Sequence, residues 1–462
     1  MESEENISKT HPLQGKKPAK ISLISNRNIF NISYPIFLTL IAQNIINVTD
    51  TAFLGRVGEV EMGASAIGGV FYLAIFTLGF GFSQGVQILI GRRNGEGNFS
   101  QIGTIFNNGL IFNFLLSAVL FVALFFSLSG LMDFLVSSAK VHRAAVDYLD
   151  WRIYGLFFAF ANAVFRAYYV GITKTRVLTI SAIITALTNV VFNYFLIFGT
   201  FGFPELGIAG AGMASVIAEG ATFLYLYFHT QRNNEAKKYG LFNFEKIDLK
   251  TIKQVLDLSI FIMLQYFTSI VTWFLFFLFI ERMGERPLAA TNIGRSLYIV
   301  LMMPGVALST TVNTLVSNLI GAGHKDFVMP FLNKMIKLVL VLIIPIMIFT
   351  FAFPELFIRI YTNYTGLIAD TVPIIRVVSI AMIFFAVSNI VFSALLGTGN
   401  TRTALAIDLG GMVFYVLFIW YAAIYNPQTT AVVWLSELVY WIPIGIVCYW
   451  YMLKGNWRSK RI

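Results

Sequence analysis

The chain has 462 residues, 57% of them hydrophobic and only 12% charged, with a mean hydropathy of +0.74. A soluble domain carries about a quarter charged residues, so the composition points to an all-α polytopic membrane protein and excludes a soluble enzyme. The net charge of +10 would fit a nucleic-acid binder, but its placement argues for a topology signal instead, and the single cysteine, Cys448, excludes an internal disulfide or a thiolate metal cluster.

A membrane span needs about 20 mostly apolar residues. Twelve such spans are expected, near residues 29–55, 62–91, 102–129, 146–171, 177–200, 207–230, 253–281, 287–320, 328–353, 372–397, 403–425 and 429–453. These runs are too long, and alternate too little, for a β-barrel. Lys and Arg gather in the N-terminal tail, in the C-terminal tail, and in the loops after even-numbered spans, as at Arg92, Arg93, Lys174, Lys237, Lys325 and Arg402. The positive-inside rule then places both termini in the cytoplasm of a plasma (inner) membrane protein, whose basic loops meet anionic headgroups. The tail to about Arg27 lacks the hydrophobic region of a signal peptide. The expected organisation is a tail (1–28), an N-lobe (29–230), a polar linker (231–252), a C-lobe (253–453) and a second tail (454–462). The four histidines are scattered, and no HExxH, GxSxG or phosphate-cradling loop is present. A monomer without a cofactor, a nucleic-acid partner or an enzymatic site is expected.

In chain order, the first unusual residue is Asp50, an ionisable group in the long apolar run of span 1. Gln43, Asn47 and Asp50 are spaced i, i+4 and i+7 and share one helix face. Acids inside membrane helices usually face a bundle interior or an aqueous cavity, so an ion or proton site competes with a hydrated position near the surface. Span 4 contributes Asn162 and Arg166. Span 5 carries Asn189 and Asn193 on one face, and their amides can ligate a cation or brace neighbouring helices. Ser215 and Glu219 follow in span 6. Gln265, Asn313 and Asn389 could line the C-terminal half of a cavity or simply pack. Asp408 in span 11 is expected near the membrane surface, as a second ion-linked acid or a hydrated one. Glu437 lies in span 12, beside Tyr440 and Trp441. A buried acid–arginine pair is expected, for example Arg295 with Glu437 or Asp408. Tyr148, Trp151 and Tyr154 resemble an interfacial aromatic belt.

The chain repeats itself. Gly58-Glu59, Met62 to Gly68 and Gly85 to Gly97 reappear at Gly284-Glu285, Leu288 to Gly294 and Thr311 to Gly323, at an ungapped offset of 226 residues. Asn162 to Arg176 echoes Asn389 to Arg402 with one residue of slip. Two six-span halves follow. Because six is even they share one orientation, giving a parallel repeat about an axis along the membrane normal. At the same offset Asp50 faces Phe276, so the ion-type site belongs to one half only.

The repeat resembles the multidrug and toxic compound extrusion (MATE) family. So do Asp50-Thr51…Gly55…Gly58, Gly171 to Arg176, Asn189 to Tyr194, and Gly207…Gly210-Ala211…Ala214-Ser215. The resemblance spans Ile29 to Leu453 and implies a V-shaped pair of six-helix lobes. It also implies an antiporter that expels small organic, often cationic, compounds against H+ or Na+. The details look most similar to the DinF-like branch. There the coupling carboxylate maps to Asp50, a helix bend to Pro35, and the cation site to Asn189, Asn193 and Ser215 with a backbone carbonyl near Ala211. Na+ would then be held at Asp50, Asn189 and Asn193. Many members of that branch carry a second acid where this chain has Asn193, which leaves H+ and Na+ both open. The acids of the NorM-like branch have no match in span 7, where Gln265, Phe267 and Thr268 stand. A lipid-linked precursor flippase is the alternative, but it would need several cavity arginines or lysines, and only Arg166 and Arg295 lie deep in spans.

Overall fold

The structure is a computed structural model that describes residues 24–232, 234–244, 247–460 and 462; most of the expected N-terminal tail lies outside them. Among the described residues, eleven helices are long and apolar enough to cross a membrane, and a bent pair counted as one span makes twelve, arranged as two six-helix lobes. The N-lobe holds α1 (Asn26–Val57), α2 (Glu59–Glu96), α3 (Phe99–Leu135), α4 (Ala139–Arg152, then Gly155–Gly171), α5 (Arg176–Phe198) and α6 (Gly207–Arg232). The C-lobe holds α7 (Leu249–Glu281), α8 (Glu285–Gly321), α9 (Val328–Ala352), α10 (Thr365–Gly397), α11 (Thr401–Trp420) and α12 (Ser436–Lys454). Most expected spans fall on these helices; α12 begins at Ser436, with the short helix Thr430–Trp434 covering the start of its expected span. Helix α10 begins at Thr365, and α4 bends by 53° between its two pieces.

Local sequence explains several helix ends. Ser25 caps α1 by accepting from the Asn28 amide (3.2 Å), and Asp248 caps α7 by accepting from the Lys250 amide (3.0 Å). Pro35 sits inside α1 without breaking it. A proline removes one backbone donor, which strands the carbonyl four residues earlier. That carbonyl, of Asn31, accepts from the Thr175 hydroxyl (3.2 Å), which also donates to Ile32 (3.0 Å). The linker is docked rather than free: Asn107 of α3 donates to the carbonyls of Gly240 (3.1 Å) and Asn243 (2.9 Å).

The lobes meet along α2 and α8 and obey the repeat. Gln87 and Asn313 are repeat partners, and the Gln87 amide donates to the Asn313 oxygen at 3.1 Å. Nearby, Asn94 donates to Asn318 (2.7 Å) and Ser317 to the Ile88 carbonyl (2.6 Å). Gly95 and Gly321, also repeat partners, each press on backbone of the other lobe. A Cβ on Gly95 would overlap the Asn318 carbonyl, and one on Gly321 the Arg92 carbonyl. Small residues allow such close approach of helix backbones. Arg92, read from the sequence as a loop cation, is therefore buried at this contact and donates to the Thr398 carbonyl (3.1 Å).

The apolar core follows the same geometry. At the end near both chain termini, one continuous cluster joins α1 and α2 to α7 and α8, through residues such as Ile32, Val86, Leu258 and Val312. Toward the other end the cores separate. One, around Tyr72, Leu128 and Phe160, lies within the N-lobe, and another, around Phe276, Tyr298 and Trp434, lies within the C-lobe. The result is a V, closed at the terminal end and split by a cavity above it. Tyr148, expected in an interfacial belt, is instead buried and lines this cavity.

Gly95→Val should therefore weaken the closed end by about 1–3 kcal/mol, read as a lower thermal midpoint of the purified protein. Gly130→Val, where an added Cβ meets nothing within 4 Å, should leave the midpoint in place.

Candidate functional site

A cavity of about 1130 Å³ lies between the lobes and is lined by both. Its N-lobe wall gathers the polar stripe of span 1: Gln43, Asn47 and Asp50 all face it. From Asp50 a hydrogen-bond chain runs back into the lobe. Asn193 Nδ2 donates to Asp50 Oδ1 (2.5 Å) and to Asn189 Oδ1 (3.0 Å), and Asn189 Nδ2 donates to Ser215 Oγ (3.3 Å). Asn189 and Asn193 meet Asp50 because i, i+4 spacing puts both on the face of α5 that packs on α1. Ala211 lines the cavity beside them.

The amide orientation follows from the network. A flipped Asn193 would turn its oxygen toward two acceptors. With Nδ2 as the shared donor, Asn193 Oδ1 is buried and has no partner. An orphaned acceptor next to a carboxylate fits a bound cation or a proton, since hard cations take oxygen ligands and buried acceptors are normally satisfied.

The N-lobe wall also holds an acid–arginine pair, partly buried and made by other partners than those expected. Arg152 Nη1 bonds Glu219 Oε1 at 3.0 Å, and its guanidinium stacks 3.8 Å from the Tyr72 ring centroid. Tyr72 donates to Glu219 Oε2 (3.4 Å), and Asn162 donates to the Glu219 carbonyl (3.0 Å). Arg152 ends the first piece of α4 at the bend. Gly155 opens the second piece, and a Cβ there would overlap Glu219 Oε2. The bend and the missing side chain together make room for the pair.

The C-lobe wall corrects the expectation for Arg295. It forms no ion pair with Glu437 or Asp408; its guanidinium lies 5.2 Å from the Phe277 ring centroid. Glu437 is held by Tyr298 (2.5 Å), Trp441 (3.1 Å) and Tyr415 (3.3 Å). Asp408, expected near the surface, is 2% exposed and accepts from Tyr440 at 2.5 Å. The C-lobe amides Gln265, Asn313 and Asn389 all line the cavity. Asn389 donates to Ser309 (3.2 Å), and Asn313 is tied across the axis to Gln87. Gln265 lines the cavity with a buried, unpartnered Oε1. Pro35 lies 15 residues before Asp50, roughly 22 Å along α1, at the closed end of the V.

Sequence reasoning passed over Arg152, Tyr72 and Tyr298. Arg152 was hidden among span-end aromatics. The two tyrosines were findable, because they sit 226 residues apart in the ungapped part of the repeat.

The MatE family model matches residues 35–195 and again 262–421, one match per lobe. A probable multidrug resistance protein NorM of Synechocystis sp. is 24% identical over 94% of this chain and 96% of its own length. The fold is similar to an outward-facing multidrug resistance MATE transporter of the MOP superfamily (TM-score 0.87, 15% identity, 97% of this chain and 100% of that one). It is equally similar to the Vibrio cholerae MATE transporter VcmN (TM-score 0.87, 16% identity, 95% and 99%). The paired family match over both lobes identifies the chain as a member of the MATE family, a multi-pass membrane transporter and not an enzyme.

Proposed function

We propose that this transporter exports small organic, often cationic, compounds in exchange for H+ or Na+, with Asp50 as the coupling carboxylate. The observation that carries this reading is the placement of Asp50: an acid on the cavity wall, bonded to Asn193 at 2.5 Å, in one lobe only. Its repeat partner Phe276 is buried in C-lobe core. The scaffold is two-fold symmetric and the charge is not.

Alternating access follows from the V. Positive-inside placement puts the closed end in the cytoplasm of the plasma membrane, so this state opens outward, and the chain works as a monomer. The ion reaches Asp50 and the orphaned Asn193 oxygen from outside. An ion shifts the lobes only as far as it binds one state better than the other. Helix α1 carries Asp50 and contains Pro35, where a tertiary hydroxyl replaces a backbone bond that the helix lacks, so Pro35 is the place where α1 bends as Asp50 loads. The cavity charge also favours cationic cargo over the phosphates of a flippase. Four carboxylates (Asp50, Glu219, Asp408, Glu437) face three guanidiniums (Arg152, Arg166, Arg295), and Arg152 is already paired.

Reconstituted protein should expel ethidium under an imposed ΔpH or ΔpNa, and the gradient that works names the ion. Asp50→Asn should abolish this gradient-driven export while leaving the thermal midpoint near that of the wild type; undiminished export would remove Asp50 from the mechanism. Asn193→Ala removes the donor to Asp50 but keeps the acid. It should slow export by about tenfold, the scale of a lost charge-assisted hydrogen bond, without abolishing it.

A further inference from the structure

Each lobe sets a cavity-lining glutamate behind a repeat-related tyrosine, but only one of these glutamates has a cation. Tyr72 and Tyr298 hold the same register on α2 and α8. Tyr72 donates to Glu219 of α6, and Tyr298 donates to Glu437 of α12. Arg152 neutralises Glu219. Glu437 receives Trp441 and Tyr415 instead, and no ion pair to Glu437 or Asp408 is formed among the described residues. Trp441 Nε1 also donates to the Tyr298 oxygen (3.2 Å), which directs the Tyr298 proton onto Glu437. Asp408 Oδ2 is buried and unpartnered. All of these side chains line the one cavity.

A buried carboxylate without a counter-charge is costly. The cavity-lining arginine Arg295 lies over Phe277 and forms no ion pair with Glu437. Either a proton on the carboxyl or a cation has to compensate the charge, and Glu437 faces a cavity that a cation can enter. The neighbours decide what kind of cation fits. Every group around Glu437 points an O–H or N–H at it, so a small inorganic ion would find a carboxylate but no set of neutral oxygen ligands. Ring faces, in contrast, attract a bulky cation through their quadrupoles, and Tyr298, Trp441 and Tyr440 supply three.

We propose that the C-lobe wall, with Glu437 and Asp408 behind Tyr298, Tyr440 and Trp441, binds the charged group of a monovalent organic cation that has an aromatic or apolar body. This rests on the export reading above and adds a division of labour: the coupling ion at Asp50 in one lobe, the charge of the cargo at Glu437 in the other. The two need not collide, and they communicate through the arrangement of the lobes.

The test is binding of tetraphenylphosphonium to the full-length protein purified in detergent, followed by titration calorimetry, with neutral triphenylphosphine oxide as the uncharged comparison. Glu437→Gln should raise the tetraphenylphosphonium Kd by about tenfold or more and leave the weaker binding of the neutral probe in place. Gly130→Val, outside the cavity and with nothing within 4 Å of an added Cβ, should stay within about twofold of wild type. Wild-type affinity in Glu437→Gln overturns the proposal. If that variant does not fold, photolabelling of wild-type protein with a benzophenone-bearing triphenylphosphonium decides: label on α8 and α12 supports the site, and label confined to α1, α5 and α6 overturns it. The export reading fails separately. Glu437-dependent binding without export under either gradient would leave this site standing and the antiport assignment fallen.

Discussion

The contact between α2 and α8 at the pseudo-two-fold axis is the constraint on which the rest of the molecule depends. Two repeat-related glycines let the backbones of opposite lobes touch, and repeat-related amides join across them. A backbone contact this close leaves no room for side chains, so the lobes are pinned at one end and diverge from it. The shared apolar core lies only where they touch, and the split cores lie where they part. The cavity is the geometric consequence. A joint made of packing, amide hydrogen bonds and the single charged bond from Arg92 to the Thr398 carbonyl can also be remade, because no desolvated charge pair has to be broken across it.

On that symmetric frame the charged groups are arranged without symmetry. The N-lobe satisfies its cavity-lining acid Glu219 internally with Arg152 and Tyr72, and holds Asp50 out to the cavity on an amide chain. The C-lobe keeps its tyrosine but lacks the arginine, so Glu437 and Asp408 are met by hydroxyl and indole donors only. Each lobe thus offers the cavity a different chemistry. Oxygen acceptors beside a carboxylate suit a small ion, and carboxylates behind aromatic rings suit a large one.

Much of this was readable in the chain. Twelve apolar runs, an even split and an ungapped offset are one-dimensional facts, and they lead to a parallel two-lobe bundle because a membrane admits few other solutions. The stripe Gln43, Asn47, Asp50 and the pair Asn189, Asn193 were legible for the same reason: helical periodicity puts them on one face whatever the neighbours are. The choice of partners was not legible. Arg295 looked the natural mate for Glu437, yet it lies over Phe277 on another helix, while Arg152 pairs with Glu219 where α4 bends. Asp408 looked close enough to the surface to be hydrated and is closed off by Tyr440.

By itself the sequence determined the helices, their number, the repeat and the uniqueness of Asp50, since these depend on residue type and spacing along one chain. Only the tertiary structure decided which acids are neutralised and which are left for the cavity. Burial and pairing depend on how helices far apart in sequence are packed, and a bend of one helix at Arg152 is enough to move a charge from one partner to another.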